Sequence, residues 1–373
     1  MILIAGAGIG GLTLGCALAR LGRAFRIFER APELRPAGAG IALADNAFRA
    51  LAHVGLDARV RAGGEALAAA AICRPSGRAI GRFRSDDLGL GSTVAMSRSR
   101  LQQALVEALD RDVETGRTVS GYEQAAGAVR VRFDDGEVIE AEMLVGADGL
   151  HSRVRREMLG ETPLRYAGQT SWRALTRNDA RVEPGHFTET WGPGRRFGIV
   201  PIGDEGVYWF AVADAPAGGR DAGDPREALQ QMFAGWHAPI AALIASTTPA
   251  AVLRADIFDR RPVGTWVDRR AVLLGDAAHP MTPNLGMGGC QAIEDAVVLA
   301  DAVGREPSIE RALSRYQAAR VSRANSFVER SRRMGQVAHV RSAPMRWLRD
   351  TAIGLVPARV AARSLARDLD FRL

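Results

Sequence analysis

The chain begins with a four-residue apolar run, Ile2-Leu-Ile-Ala5, that feeds directly into Gly6-Ala-Gly8-Ile-Gly10-Gly11. A second apolar run, Phe25-Arg-Ile-Phe-Glu29, closes on an acid eighteen residues after Gly11. A strand, Gly6-x-Gly8-x-x-Gly11, a helix and an acid-terminated strand make the βαβ fingerprint of a dinucleotide-binding fold. Gly6 permits the tight turn, Gly8 lets the backbone approach a pyrophosphate, and Gly11 lets the helix lie close to the strand. The helix start offers unpaired N–H groups and a positive dipole end to phosphates, and Glu29 can accept from ribose hydroxyls. No basic residue precedes the apolar run and no small-residue cleavage site closes it, so a signal peptide is not expected.

The 373 residues allow two domains, or one large domain carrying an insertion. No stretch approaches the roughly 18 continuous apolar residues of a membrane span, so no integral membrane segment is expected. Net charge is +7, yet all 49 basic residues are Arg and none is Lys. That removes Schiff-base lysine chemistry and the P-loop NTPases at a stroke. The arginines are scattered, with no helix-turn-helix, zinc-finger or aromatic RNA-binding motif beside them. A solvated basic surface suited to anionic cofactors and substrates is the expectation, and nucleic acid is not. Cys16, Cys73 and Cys290 show no paired spacing, and the six histidines show no ligand spacing. Neither a disulfide framework nor a metal site is expected, and the implied compartment is the cytoplasm.

Along the chain, Gly38-Ala-Gly40-Ile41 reads as a Gly-rich turn, and residues 45–60 read as a helix. Residues 66–84 alternate loosely, as strands of a second region would. Ser97 to Asp110 reads as a helix with Ser97 as N-cap and an apolar stripe of Leu101, Leu105, Ala108 and Leu109. Val129–Phe133 and Glu137–Glu140 flank Asp135-Gly136, a tight hairpin signal. From about 166 to 262, short runs such as Ser171–Ala174, His186–Trp191, Arg196–Val200 and Val207–Val212 alternate with turn residues, as in an antiparallel sheet. Ala271-Val-Leu-Leu274 returns to the all-apolar strand of a parallel sheet, and helices follow from about 288. The expected layout is α/β. A Rossmann-like domain comes from residues 1–72, 94–165 and 263–335, with an inserted antiparallel domain from 73–93 and 166–262 and a helical C-terminal segment 336–373.

Two further motifs lie on this scaffold. Met143-Leu-Val145 runs into Gly146-Ala-Asp148-Gly149, followed by Ser152 and Arg155. The last parallel strand runs into Gly275-Asp276, then Pro283-Asn284-Leu-Gly286-Met287-Gly288-Gly289 opens a helix. A strand feeding an acid into a loop suits a sugar-alcohol hydroxyl. N–H groups at the helix start can polarise an electron-poor ring, which the glycines let approach closely.

The three segments, in this order and at this spacing, resemble those of the class A flavoprotein monooxygenases, the para-hydroxybenzoate hydroxylase-like family. The resemblance runs from Ile2 to about Arg330. It implies non-covalent FAD, with Gly6, Gly8 and Gly11 on the pyrophosphate and Glu29 on the adenosine ribose. Arg98 would lie along the phosphates and ribityl chain. Asp148, Gly149, Ser152 and Arg155 would contact FAD and a transient NADH or NADPH. Asp276 would take a ribityl hydroxyl, and Pro283, Gly286, Met287, Gly288 and Gly289 would line the isoalloxazine. Arg30, Gly40 and Gln102 join the same cofactor-binding set. The family mechanism passes hydride to the flavin, adds O2 at C4a, and lets that hydroperoxide oxygenate an activated substrate.

Arg196 and Tyr208 stand twelve residues apart across a strand, turn and strand, which would bring both to one face over the flavin. FAD-dependent urate hydroxylases resemble this pattern, although Asn284 stands where those enzymes carry an acid. Zeaxanthin epoxidases resemble the stretch Met281–Asp295, with Met287 in place of their Gln. The resulting expectation is hydroxylation of a small aromatic or heteroaromatic substrate by a monomer or homodimer, with Arg196, Tyr208 and Pro283 catalytic. Epoxidation of a polyketide or terpenoid, an O2-independent flavin reductase and a flavin-binding sensor are the alternatives. A flavin halogenase would need a lysine that the chain lacks.

Overall fold

The Ile2–Ala5 strand lies inside a six-stranded sheet of order Val267–Asp268, Ala271–Leu273, Met143–Gly146, Ile2–Ala5, Phe25–Glu29, Glu114–Thr115. Its neighbours on both sides run parallel to it, with Ile4 opposite Val145 and Ile27. Strands covered on both faces read as unbroken apolar runs, and Ile2, Leu3 and Ile4 are fully buried here. Each such side chain stabilises the fold by about 1.5–3 kcal/mol. Helices Ile9–Arg20 and Gly288–Arg305 pack together on this sheet. The structure is a computed structural model that describes residues 1–34, 39–84, 93–109 and 111–373.

A seven-stranded sheet stands beside the first, in the order Leu253–Asp259, Arg165–Thr176, Val207–Asp214, Arg195–Pro201, His186–Gly192, Ala69–Cys73, Ala79–Arg84. Its pairings are antiparallel except that of His186–Gly192 with Ala69–Cys73. Strand alternation sorts its residues between two environments. Trp172, Ala174, Phe197, Ile199, Trp209 and Ala211 pack against helices Pro225–Met232 and Ile240–Ser246. Ser171, Arg173, Arg196, Tyr208, Phe210 and Val212 face a cavity on the other side.

Several expectations shift in detail. The helix expected over 45–60 is two helices, Asp45–His53 and Asp57–Ala62, separated at Val54-Gly55. The expected boundary at residue 72 falls inside Ala69–Cys73, which joins the seven-stranded sheet as a unit. Gly38 and Asp110 lie outside the described residues, as does 85–92 of the expected 73–93 segment. Ser97 caps the helix Arg98–Leu109, its Oγ accepting from the Arg100 N–H at 3.0 Å. Helices Gly288–Arg305, Ile309–Ala338, Ala343–Leu355 and Ala358–Leu369 complete the chain.

Candidate active site

The glycine loop begins where the Ile2–Ala5 strand ends. Gly6 has φ of +108°, and a Cβ there would stand 2.4 Å from the Ala147 carbonyl oxygen, so no other residue fits. A Cβ on Gly11 would stand 2.0 Å from the Gly6 carbonyl oxygen. Gly8 meets nothing within 4 Å and lines a cavity of about 950 Å³. It is also the N-cap of helix Ile9–Arg20 and bonds no side chain, leaving the helix N-terminus open to an anion.

Glu29 is turned toward this loop, its Oε2 accepting from the Ala7 N–H at 2.9 Å and its Oε1 from Ala31 N–H at 3.0 Å. Gln102 Nε2 donates to the Ala7 carbonyl at 3.3 Å, bracing the loop from helix Arg98–Leu109. Neither side chain lines the cavity, nor does exposed Arg30. Arg98 does line it, and its guanidinium has no ion pair among the described residues.

The middle motif is built differently from its expected role. Asp148 Oδ2 accepts from the Arg153 N–H at 2.7 Å, capping helix Arg153–Leu159, while its Oδ1 is buried without a partner. Burial pushes this carboxyl up, against the pull of the hydrogen bonds from Ser152 and the backbone. Gly149 reaches the cavity, but Arg155 does not. Arg155 is 2% exposed, and its Nη1 donates to the Ala277 and Ala278 carbonyls at 2.9 and 2.8 Å. Burial, with repulsion from Arg260, lowers it to about 10. Arg155 thus satisfies two carbonyls of the late motif and does not line the cavity.

That late motif carries Asp276 in the short turn Gly275–Ala277. Asp276 is exposed within the cavity beside Gly288, whose added Cβ would lie 3.9 Å from its Oδ1. No hydrogen bond holds the Asp276 carboxylate among the described residues. Pro283, Gly286, Gly288 and Gly289 line the same wall, whereas Met287 is buried beneath it. A buried ion network anchors the turn from below. Asp295 accepts from the Gly275 N–H at 3.0 Å and from Arg320 Nε at 2.7 Å, and it contacts His279 Nε2 at 2.5 Å. Burial raises the Asp295 carboxyl, but His279 and Arg320 outweigh it and hold it at about 2. Arg320 also pairs with Glu294, which accepts from Arg323 and, at 2.6 Å, from Asn46. The pair Glu294-Asp295 is legible in the sequence as two acids inside an apolar helix, but its arginine partners lie 25 and 29 residues on.

On the opposite wall, Arg196 and Tyr208 share the cavity face, with Tyr208 in register with Val200. Arg196 is 3% exposed and committed within the protein. Its Nη1 donates to Glu189 Oε1 at 2.7 Å, and its Nη2 donates to Asn284. Asn284 in turn donates to Thr282 and to the Ser331 carbonyl, both at 2.9 Å. The Tyr208 ring packs against Gly40, where an added Cβ would come within 2.2 Å. Its hydroxyl has no protein partner among the described residues. Burial pushes the phenol up, against the pull of Arg173, Arg98 and Arg196, so it stays a neutral donor at neutral pH.

Arg173 was not singled out in the sequence. It lines the cavity opposite Phe210, has no ion pair among the described residues, and keeps a buried, unpartnered Nε. The available signal is strand alternation: Arg173 interrupts Trp172 and Ala174, two core residues of one strand.

This arrangement, a glycine-rich cradle at a helix N-terminus opening into a cavity shared with an antiparallel sheet, defines a dinucleotide-type cofactor site with a substrate wall facing it. The chain belongs to the FAD-binding domain family, which matches residues 1–331. It is 47% identical to the aurachin C monooxygenase/isomerase of Stigmatella aurantiaca, over 99% of this chain and 98% of that one. It is 35% identical to the 2-heptyl-3-hydroxy-4(1H)-quinolone synthase of Pseudomonas aeruginosa, over 95% of this chain and 94% of that one. Among solved structures it is similar to Klebsiella pneumoniae HpxO complexed with FAD and uric acid, at TM-score 0.92 and 30% identity over 99% and 96% of the two chains. The protein is an FAD-dependent monooxygenase that takes NAD(P)H as co-substrate.

The residues present fit that cofactor. Gly8 and Gly149 leave backbone open to it, Arg98 and Asp276 face the cavity without partners, and Asp148 keeps a buried acceptor in reserve. Asp276→Ala is expected to weaken FAD binding by about 1.5–3 kcal/mol, roughly 10- to 150-fold, if the carboxylate accepts a ribityl hydroxyl. Flavin titration of the apoprotein measures this, and an unchanged Kd would take Asp276 out of contact with the cofactor.

Proposed function

We propose that the protein hydroxylates an oxo- or hydroxy-substituted heteroaromatic ring of the quinolone kind, and that Arg173 and Tyr208 hold that substrate against a wall fixed by Arg196. The observation that carries this reading is the unpaired Arg173 on the same cavity face as Tyr208, on a wall otherwise built from Phe187, Val200, Phe210 and Val212. Oxygen transfer of this type needs an electron-rich ring, and a cation at a ring oxygen favours its enolate or phenolate form. Bound FAD, reduced by NADH or NADPH, supplies from O2 the oxygen atom inserted into the substrate, the other leaving as water.

The protein groups divide the remaining work. Arg173 offers a planar donor fork to the ring oxygen, and Tyr208 donates as a neutral phenol. Arg196, tied to Glu189 and Asn284, fixes the cavity wall above Pro283. The apolar side chains keep water from the site of transfer. Cofactor contacts fall to the glycine-loop half and substrate contacts to the seven-stranded sheet. We place the enzyme in the cytoplasm, a reading supported by Cys16, Cys73 and Cys290 all being buried free thiols.

Tyr208→Phe tests the reading, because it keeps the ring against Gly40 and removes only the donor. With an alkyl-4-quinolone as substrate, the variant is expected to consume NAD(P)H at near the parental rate. It should release most of the oxygen as peroxide, since loss of one orienting bond misaligns the ring. A variant that hydroxylates as tightly coupled as the parent would remove Tyr208 from the substrate site.

A further inference from the structure

Seven of the thirteen large apolar side chains exposed among the described residues lie between Met345 and Leu365. Six of them sit on the two last helices, Ala343–Leu355 and Ala358–Leu369, and Val356 lies between the two. The first of these helices has its polarity inverted. Its inward side buries charge: Arg349 and Asp350 are each 8% exposed and pair at 2.7 Å. Arg74 reaches Asp350 at 2.9 Å, and the Arg349 guanidinium lies 5.1 Å from the Trp191 ring centroid. Its outward side carries Met345, Leu348 and Leu355 at helical spacing, with Leu355 73% exposed and Trp347 at the flank 65% exposed. A helix that satisfies its ions inward and leaves this stripe outward is matched to an apolar phase.

The last helix adds the charge. Val360, Arg363 and Arg367 share an exposed face at i, i+3 and i+7, and neither arginine has an ion pair among the described residues. On the same helix Leu365 is partly exposed and also lines the active-site cavity, as does Leu369. No helix among the described residues is long and apolar enough to cross a membrane, so contact would be at the surface.

We propose that this C-terminal helix pair docks on an anionic phospholipid surface, with Trp347, Leu348 and Leu355 entering the interface and Arg363 and Arg367 meeting the head groups. Exposed apolar side chains on two consecutive helices, the second of which also carries unpaired arginines on the face of Val360, on a chain of net charge +7, are the complement of such a surface. A second copy of the chain would bring the same two unpaired arginines face to face with their equivalents, which disfavours self-association through this face. The proposal does not depend on which ring the enzyme hydroxylates.

The test is sedimentation of the FAD-loaded protein with vesicles of phosphatidylcholine alone and with added phosphatidylglycerol. The protein is expected to pellet with the anionic vesicles and to be released by salt. Arg363→Gln with Arg367→Gln should lower the partition coefficient roughly 30-fold. Leu348→Ser with Leu355→Ser should abolish pelleting while flavin content stays parental. Failure of the parent to pellet, or parental pelleting of both variants, would overturn the proposal. So would sedimentation velocity showing a dimer that the Leu348→Ser, Leu355→Ser variant converts to monomer.

Discussion

Arg320→Ala is expected to destabilise the protein by about 3–5 kcal/mol and to strip it of flavin, although Arg320 does not line the cavity. Arg320 is 2% exposed and pairs with Glu294 and Asp295, both fully buried. Removing it leaves two carboxylates out of water with His279, Arg323, Asn46 and Gln291 as the remaining side-chain partners. Asp295 would then lose part of what holds its carboxyl near 2. Because Asp295 also accepts from the Gly275 N–H, the turn carrying Asp276 loses its anchor in the same step. Urea unfolding and flavin retention after gel filtration read the two consequences, and Arg320→Lys should recover only part of each, since an ammonium cannot serve both carboxylates as a fork. A variant as stable and as yellow as the parent would show that the network is not what holds the turn. The pH dependence has a definite sign. A carboxyl depressed from 3.8 to about 2 contributes stability that is complete above pH 4 and is lost as pH falls through 2.

What the sequence disclosed follows from how local each signal is. The glycine loop, the apolar parallel strands and the Ser97 cap depend on residues within a few positions of one another, and they are legible. The Arg155 contact with Ala277 and Ala278 spans more than 120 residues, so no local pattern in the middle motif discloses it. The Glu29 carboxylate, expected toward a ribose, accepts from the Ala31 N–H just beyond its strand and from the Ala7 N–H of the glycine loop 22 residues earlier, a contact that depends on how the two parallel strands align. Arg196 was legible as a cavity residue because its strand and that of Tyr208 are joined by one turn. Its partner Glu189 lies on the adjacent strand and Asn284 lies 88 residues away, so its commitment to both was hidden. Arg173 was hidden by the opposite circumstance: a charged residue in a run of strand residues reads as solvated edge until the sheet is seen to wall a cavity.

Arg173 and Arg196 should therefore respond to substitution in opposite ways, although both are arginines of one sheet face. Arg173→Gln is expected to lower kcat/KM for an oxo-substituted heteroaromatic by about 1.5–3 kcal/mol, roughly 10- to 150-fold. It should leave urea stability unchanged or slightly raised, because no protein carboxylate loses a partner and one partly buried cation is removed. Arg196→Gln strands Glu189, which is 9% exposed, and releases Asn284, so about 3–5 kcal/mol of stability should go with the activity. Arg196→Gln combined with Glu189→Gln should regain much of that stability, since two neutral amides can bond where an ion pair stood. Substrate range separates the two roles further. Losing the free cation Arg173 should hurt substrates with ionisable ring oxygens more than neutral arenes, whereas the Arg196 loss should hurt both alike. Equal stability losses in Arg173→Gln and Arg196→Gln would mean that Arg173 is held by the protein and not kept for the substrate.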